Sequence, residues 1–223
     1  MPAFPDDEWP RADPAEVGMD PDAVAAAVDF AKTHDTPHEQ VNYDFAASAE
    51  WDVSEGEHGG RIGPMPDRRG GPSGMVLREG RVVAEWGDTY RTDHTFSVAK
   101  SFLSLCAGVA HDRGLIADLD DRVGDDVDDE RFEGPHNGAI TWRHLLTQTS
   151  EWEGTLFGKP DAVDRNRAVG KDGEALDKSE TRPLREPGTF WEYNDVRINR
   201  LALSLLRTVG RPLPCVLAEN VMR

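Results

Sequence analysis

Apolar positions recur with a helical period in four stretches of the chain, and in one stretch they cluster as two short runs around a turn. In the first helical stretch Val24, Ala27, Val28 and Ala31 share a face, with Phe30 beside it and Asp29 opposite. Asp20 is placed to cap and Pro21 suits the first helical position, so a helix runs from there to His34 and stops before Pro37. From Val41 to Pro72 neither period persists. The pairs Gly59-Gly60 and Gly70-Gly71, with Pro64, Pro66 and Pro72, mark a long irregular loop over 41–72. Met75-Val76-Leu77 and Val82-Val83-Ala84 then flank Arg78-Glu79-Gly80-Arg81 as a β-hairpin, closed by Gly87-Asp88.

Beyond the hairpin the pattern is helical. Ser97 to Arg113 carries Val98, Phe102, Leu105, Cys106 and Val109 at helical spacing, with Gly114 where a glycine cap belongs. Trp142 to Gln148 reads as a short helix opened by Thr141. Val196 to Val209 places Ile198, Leu201, Ala202, Leu205 and Leu206 on one face, with Gly210 after it. The acidic run from Asp118 to Glu130 reads as a solvated loop. No internal repeat is present, and the whole is one α+β domain over 1–223, with a mixed part at 1–95 and a mainly helical part at 96–223.

Charge removes several classes of function. The formal net charge is −17, which repels nucleic-acid backbones and anionic lipid surfaces, so neither is an expected partner. Only five of the 25 basic residues are Lys, whereas 25 of the 42 acidic ones are Asp. A surface rich in Asp and poor in Lys suits a halophilic cytoplasm, where salt screens the self-repulsion. Six Trp and eight Phe indicate a folded chain. The first residues, Met1-Pro2-Ala3-Phe4-Pro5, carry no targeting signature, and no apolar run approaches the roughly 18 residues of a membrane helix, so the expectation is a cytoplasmic protein. Cys106 and Cys215 read as small buried hydrophobes and not as a disulfide.

The strongest chemistry lies in Ser97-Val98-Ala99-Lys100. A spacing of three at a helix start puts hydroxyl and amine on one face. A Lys whose pKa is lowered by burial could take the serine proton, and Phe96, Val98, Ala99, Phe102 and Leu103 supply apolar surroundings. The helix N-terminus suits a developing oxyanion. Tyr193, in Phe190-Trp191-Glu192-Tyr193-Asn194-Asp195 after Glu186-Pro187-Gly188, is either an anchored core ring or a proton relay beside a Lys. Metal chemistry has little support. His34 and His38 are interrupted by Pro37, and Asp125-Asp126-Val127-Asp128-Asp129 lacks the spacing of a calcium loop. No phosphate-binding glycine motif occurs, so no metal or cofactor is expected.

Taken in order, Thr95-Phe96-Ser97-Val98-Ala99-Lys100, Leu115-Ile116-Ala117-Asp118-Leu119-Asp120-Asp121, Ile140 to Ser150, and Pro187-Gly188 before Tyr193-Asn194-Asp195 resemble the serine β-lactamase-related hydrolases. The likeness is to the class C β-lactamase and penicillin-binding-protein-like branch, and it runs from about Gly74 onward. It implies a β-lactamase/transpeptidase-like fold, here the N-terminal helix and hairpin of the mixed domain plus the helical domain. It further implies Ser97 as acylated nucleophile, Lys100 as its base and Tyr193 as proton relay, acting on a small ester or amide.

Three departures qualify this. The family's Tyr-x-Asn here ends in Asp195, with Asn194 in the middle, so contacts to Lys100 or substrate by Asp195 and Asn194 are altered. Gln148 and Glu151 stand where His and Gly are common, which bears on packing more than on chemistry. The Lys-Thr-Gly or His-x-Gly strand expected well after the tyrosine has no counterpart, since Lys171-Asp172-Gly173 precedes it. The expectation is therefore a serine hydrolase resembling the front portion of a longer enzyme, with the C-terminal strands missing. A complementing C-terminal chain or self-association would then complete it. The alternative is a non-catalytic fragment or binding protein that keeps the helical half of the fold.

Overall fold

The computed structural model describes residues 8–35, 70–93, 95–165 and 182–222. The loop expected over 41–72, His38 and Lys171-Asp172-Gly173 lie mostly or wholly outside them. Helices and strands mix as an α+β fold requires, and the chain divides into two compact units, Met1–Thr95 and Phe96–Arg223.

In the first unit helix α1 spans Pro21–Thr33. The Asp20 side chain accepts from the Asp22 and Ala23 amides, and Pro21 occupies the first turn where its missing N–H costs nothing. Val24 is its buried residue, while Phe30 lies in the open and stacks on His34 at 3.7 Å. Strands β1 (Gly74–Arg78) and β2 (Arg81–Trp86) pair antiparallel, with an irregular register between Val76 and Leu77. The two turn residues, Glu79 and Gly80, both have positive φ (52° and 77°), as a tight hairpin turn that matches strand twist demands. The preceding chain joins this ribbon, since Val82 donates to the Pro10 carbonyl at 2.8 Å and Ala12 donates to that of Val82 at 3.1 Å.

The second unit is mainly helical. It contains α2 (Ala99–Asp112), α3 (Val123–Asp126), α4 (Trp142–Leu146), α5 (Asp195–Val209) and α6 (Leu213–Asn220), with a two-residue ribbon of β3 (Thr155–Leu156) and β4 (Lys159–Pro160). Its core gathers Ala107, Ala110, Ile116, Val123, Phe132, Ile140, Trp142, Leu145, Trp152, Val196, Leu201 and Leu205. α2 packs on α5 and α6 through its small residues, Cys106, Ala107 and Ala110, which admit close approach. The expected apolar stripe is thus rotated: Val98 and Leu105 are exposed instead.

Three further expectations are corrected. The acidic run is not one solvated loop, because α3 and a 3-10 turn at Glu130–Phe132 interrupt it. Val123 and Val127 are buried there, and Asp129 turns its carboxylate inward to Arg200 and Arg207. Helix α5 exposes Leu206, which the apolar pattern placed on the shared face, and buries Arg197 and Arg200 beside Leu201 and Leu205. Arg200 lies over the Phe132 ring at 4.6 Å and takes Asp129 as its charge partner. Cys215 is exposed, unlike Cys106.

Candidate active site

Ser97 occupies a single 3-10 turn, Phe96–Val98, that runs directly into α2. Phe96 has φ 45°, a left-handed conformation that costs a bulky residue about 1–2 kcal/mol. Held at that kink, the chain presents Ser97 to solvent at the start of the helix. α2 begins at Ala99 with no side-chain cap from Val98, the residue before it.

The structure brings Ser97, Lys100, Tyr193 and Asp195 together. Lys100, three residues along the helix, places Nζ 3.1 Å from Ser97 Oγ. Tyr193 comes from the loop ahead of α5, and its hydroxyl lies 2.6 Å from the same oxygen. Asp195 opens α5 and sets Oδ1 2.8 Å from Lys100 Nζ. The ammonium also lies 4.9 Å from the Tyr193 ring centroid, within cation–π range.

The charge on Lys100 differs from the sequence expectation. Burial works against the ammonium, but hydrogen bonds and opposite charge from Asp195, with a further contribution from Tyr193, outweigh it and raise the pKa above the ordinary lysine value. The apolar surroundings expected of the motif are not where they were needed, because Phe96 and Val98 are 69% and 57% exposed.

Asn194 stands apart from these four. Its side chain is buried, with Oδ1 accepting from the Arg197 amide at 3.1 Å and Nδ2 donating to the Asp161 carbonyl at 3.0 Å. It is the N-cap of α5, and both ends of its amide are committed to the fold.

Behind the tyrosine loop lies a buried ionic cluster that the sequence reading did not identify. Glu151 Oε1 and Oε2 accept from Arg182 at 2.7 Å each, from Arg197 at 2.6 Å and from the Arg185 amide at 2.9 Å. Arg197 also reaches Glu192 at 3.0 Å and Asp161 at 3.1 Å, and Arg182 reaches Glu192 at 2.9 Å. Burial pushes the Glu151 carboxyl up, yet these donors hold it down to about 2. Glu192 immediately precedes Tyr193, and its amide bonds to the Gln148 carbonyl at 3.1 Å. The loop is pinned once more at Gly188, whose amide donates to the Thr149 carbonyl at 2.8 Å. At φ 87° and with His144 Nε2 2.7 Å from where a Cβ would stand, this position accepts only glycine without strain. Glu151 itself has φ 50°, which explains why glycine suits its position. That substitution was the available signal, a charged residue at a glycine site, though its arginine partners lie 31 and 46 residues away.

Among the described residues no cluster of three or more His, Cys, Asp or Glu is placed to hold a metal ion, and no single helix is long and apolar enough to cross a membrane. An exposed serine with a cation one turn along its own helix and a phenol brought in from a separate loop has the groups that nucleophilic acyl transfer needs. The beta-lactamase family model matches residues 61–223, and the chain belongs to that family. No curated protein matches it.

Proposed function

We propose that this chain is a serine hydrolase that cleaves an ester or amide through an acyl-enzyme on Ser97. The observation that supports the reading is the convergence of Lys100 Nζ and the Tyr193 hydroxyl on one exposed oxygen, at 3.1 and 2.6 Å. Ser97 Oγ attacks the carbonyl carbon. As the new C–O bond forms, the serine proton passes to the Tyr193 oxygen, and the Tyr193 proton passes to the leaving oxygen or nitrogen, which departs as a neutral alcohol or amine. Water then attacks the acyl carbon and passes one proton through the Tyr193 oxygen to Ser97 Oγ as the acyl C–O bond breaks, while its other proton leaves with the acid. Backbone N–H groups at the uncapped start of α2 are available to the developing oxyanion, where a single donor is worth roughly 10²- to 10³-fold in rate. A halophilic cytoplasm is part of the proposal, supported by the net charge of −17 and the scarcity of Lys.

The test is covalent labelling, which needs one attack and no turnover. The 223-residue chain, incubated with a fluorophosphonate probe, is expected to carry the label on the peptide containing Ser97, and Ser97→Ala is expected to carry none. Equal labelling of both proteins, or no labelling of either, overturns the assignment.

A further inference from the structure

We propose that Asp195 is a positioning residue that holds Lys100 as a permanent ammonium donor to Ser97, leaving Tyr193 to carry the proton during acylation. The inference rests on the serine-hydrolase reading and divides the labour within it.

The geometry supplies the argument. Lys100 Nζ has three protons to donate and no lone pair while charged. One proton is directed at Asp195 Oδ1, 2.8 Å away, and another at Ser97 Oγ, 3.1 Å away. Asp195 is fixed in place by its backbone: its amide donates to the buried Asp164 carboxylate at 3.0 Å, and Asn194 before it caps the helix. The backbone from which the carboxylate reaches Lys100 is thereby anchored, and the ion pair sets where the ammonium points. A neutral amide at this position would accept a hydrogen bond from Lys100 but would bring no charge. The carboxylate adds a full negative charge at contact distance, in a site where the side chains of Lys100 and Asp195 are only 22% and 31% exposed. Among the described residues, the charged or titratable groups that act on Lys100 are Asp195 at the start of α5 and Tyr193 in the loop before it.

A lysine locked as a cation cannot accept the Ser97 proton. It can stabilise negative charge growing on Oγ and keep the hydroxyl aimed, which is electrostatic work. The proton must leave through the other contact, the Tyr193 hydroxyl, which donates to Ser97 Oγ at 2.6 Å in the resting arrangement and, once its own proton turns to the leaving group, offers its lone pair to the serine proton. No net charge transfer onto Tyr193 is needed, because it gains one proton and loses one in the same step.

The experiment is the pH profile of fluorophosphonate labelling at Ser97 for the native chain and Asp195→Asn, with Ser97→Ala as blank. The Asn side chain keeps the size of Asp and the helix-start geometry. Removing an opposite charge at contact distance typically shifts a partner by about 1–3 pH units. Asp195→Asn is thus expected to label at the native rate, or more slowly, at pH 7. Its alkaline limb is expected about one pH unit or more below the native one. A faster rate at pH 7 with the acidic limb moved down would show that freeing Lys100 creates a base, and an unchanged profile would show that Asp195 is only a packing residue. Either result overturns this assignment while leaving Ser97 as nucleophile. Loss of the hydrolase reading itself has a separate signature, labelling that persists in Ser97→Ala.

Discussion

Two carboxylate–cation groupings lie within the same helical unit and do different work. Around Glu151 the partners are sealed: Glu151, Arg197, Glu192 and Asp161 are all buried, and each carboxylate faces more than one guanidinium donor. At the serine, Lys100 and Asp195 form an ion pair that is partly open to water. The buried group has no room to rearrange and fixes the loop that carries Tyr193. The open pair sets the charge state of one amine beside a hydroxyl. The lesson is that burial, more than the identity of the charges, decides whether an ion pair is structural or chemical.

The largest effect is expected from cutting the buried group. Removing one partner of a buried pair strands the other and typically costs about 3–5 kcal/mol. Glu151→Ala should therefore lower the unfolding free energy in urea by that order and loosen Tyr193 at the same time. Glu151→Gly separates two contributions, because glycine also relieves the φ of 50°. It should recover about 1 kcal/mol relative to Glu151→Ala. Equal stability of the native chain and Glu151→Ala would place the whole cluster among contacts of no energetic weight.

A pH series probes the same group by another route. The Glu151 carboxyl is held at about 2, against an ordinary value of 4.5. Its pKa is lowered on folding, so its contribution is fully present above about pH 4.5 and is lost as the pH falls toward 2. Asp129 behaves alike, with burial opposed and overcome by the Arg131 amide, Arg200 and Arg207, and it too is held at about 2. Unfolding free energy is expected to be level from pH 7 to 5 and to drop steeply below 4.5. In Glu151→Gln the drop should be shallower. Identical slopes in the two proteins would assign acid sensitivity to other carboxylates.

Much of the fold was legible from local pattern. Asp20 and Pro21, the Glu79-Gly80 turn, Thr141 and Gly210 each act within a few residues of where they stand, so spacing alone locates α1, the hairpin, α4 and the end of α5. The Ser97–Lys100 pair was legible for the same reason, whereas Tyr193 read as either a core ring or a proton relay and only the resemblance assigned it a role. What spacing could not supply was partner identity across long separations. Nothing in the local pattern around Arg197 and Arg200 points to Glu151 and Asp129, which lie 46 and 71 residues away. Lys100 read as a buried base because its apolar sequence neighbours were assumed to enclose it, whereas Phe96 and Val98 point outward and the neighbour that matters is Asp195.

Salt distinguishes surface from interior more gently. At 1 M the Debye length is about 3 Å, so repulsion among exposed carboxylates is screened while buried contacts are hardly reached. With a net charge of −17, the melting temperature should rise between low and molar KCl. The increment should be the same, within error, in Glu151→Ala. A flat or falling melting temperature in the native chain removes the halophilic reading, and a smaller increment in the variant means that the cluster is more open than its burial indicates.

The smallest stability change is expected where the functional change is large. Lys100→Met keeps the length of the side chain and most of its apolar stem, and it removes one partly exposed ion pair, of a kind that contributes roughly 0–1 kcal/mol. The loss is partly offset, since burial opposes the ammonium in the native protein and the thioether carries no such cost. Urea midpoints of Lys100→Met and the native chain should accordingly agree to within about 1 kcal/mol. Labelling of Ser97 should nevertheless fall by roughly 10²-fold or more, because the donor 3.1 Å from Oγ is gone and the Asp195 carboxylate is left facing the nucleophile. If stability and labelling fell together, the open pair would be structural after all, and the contrast with the Glu151 cluster would be one of degree.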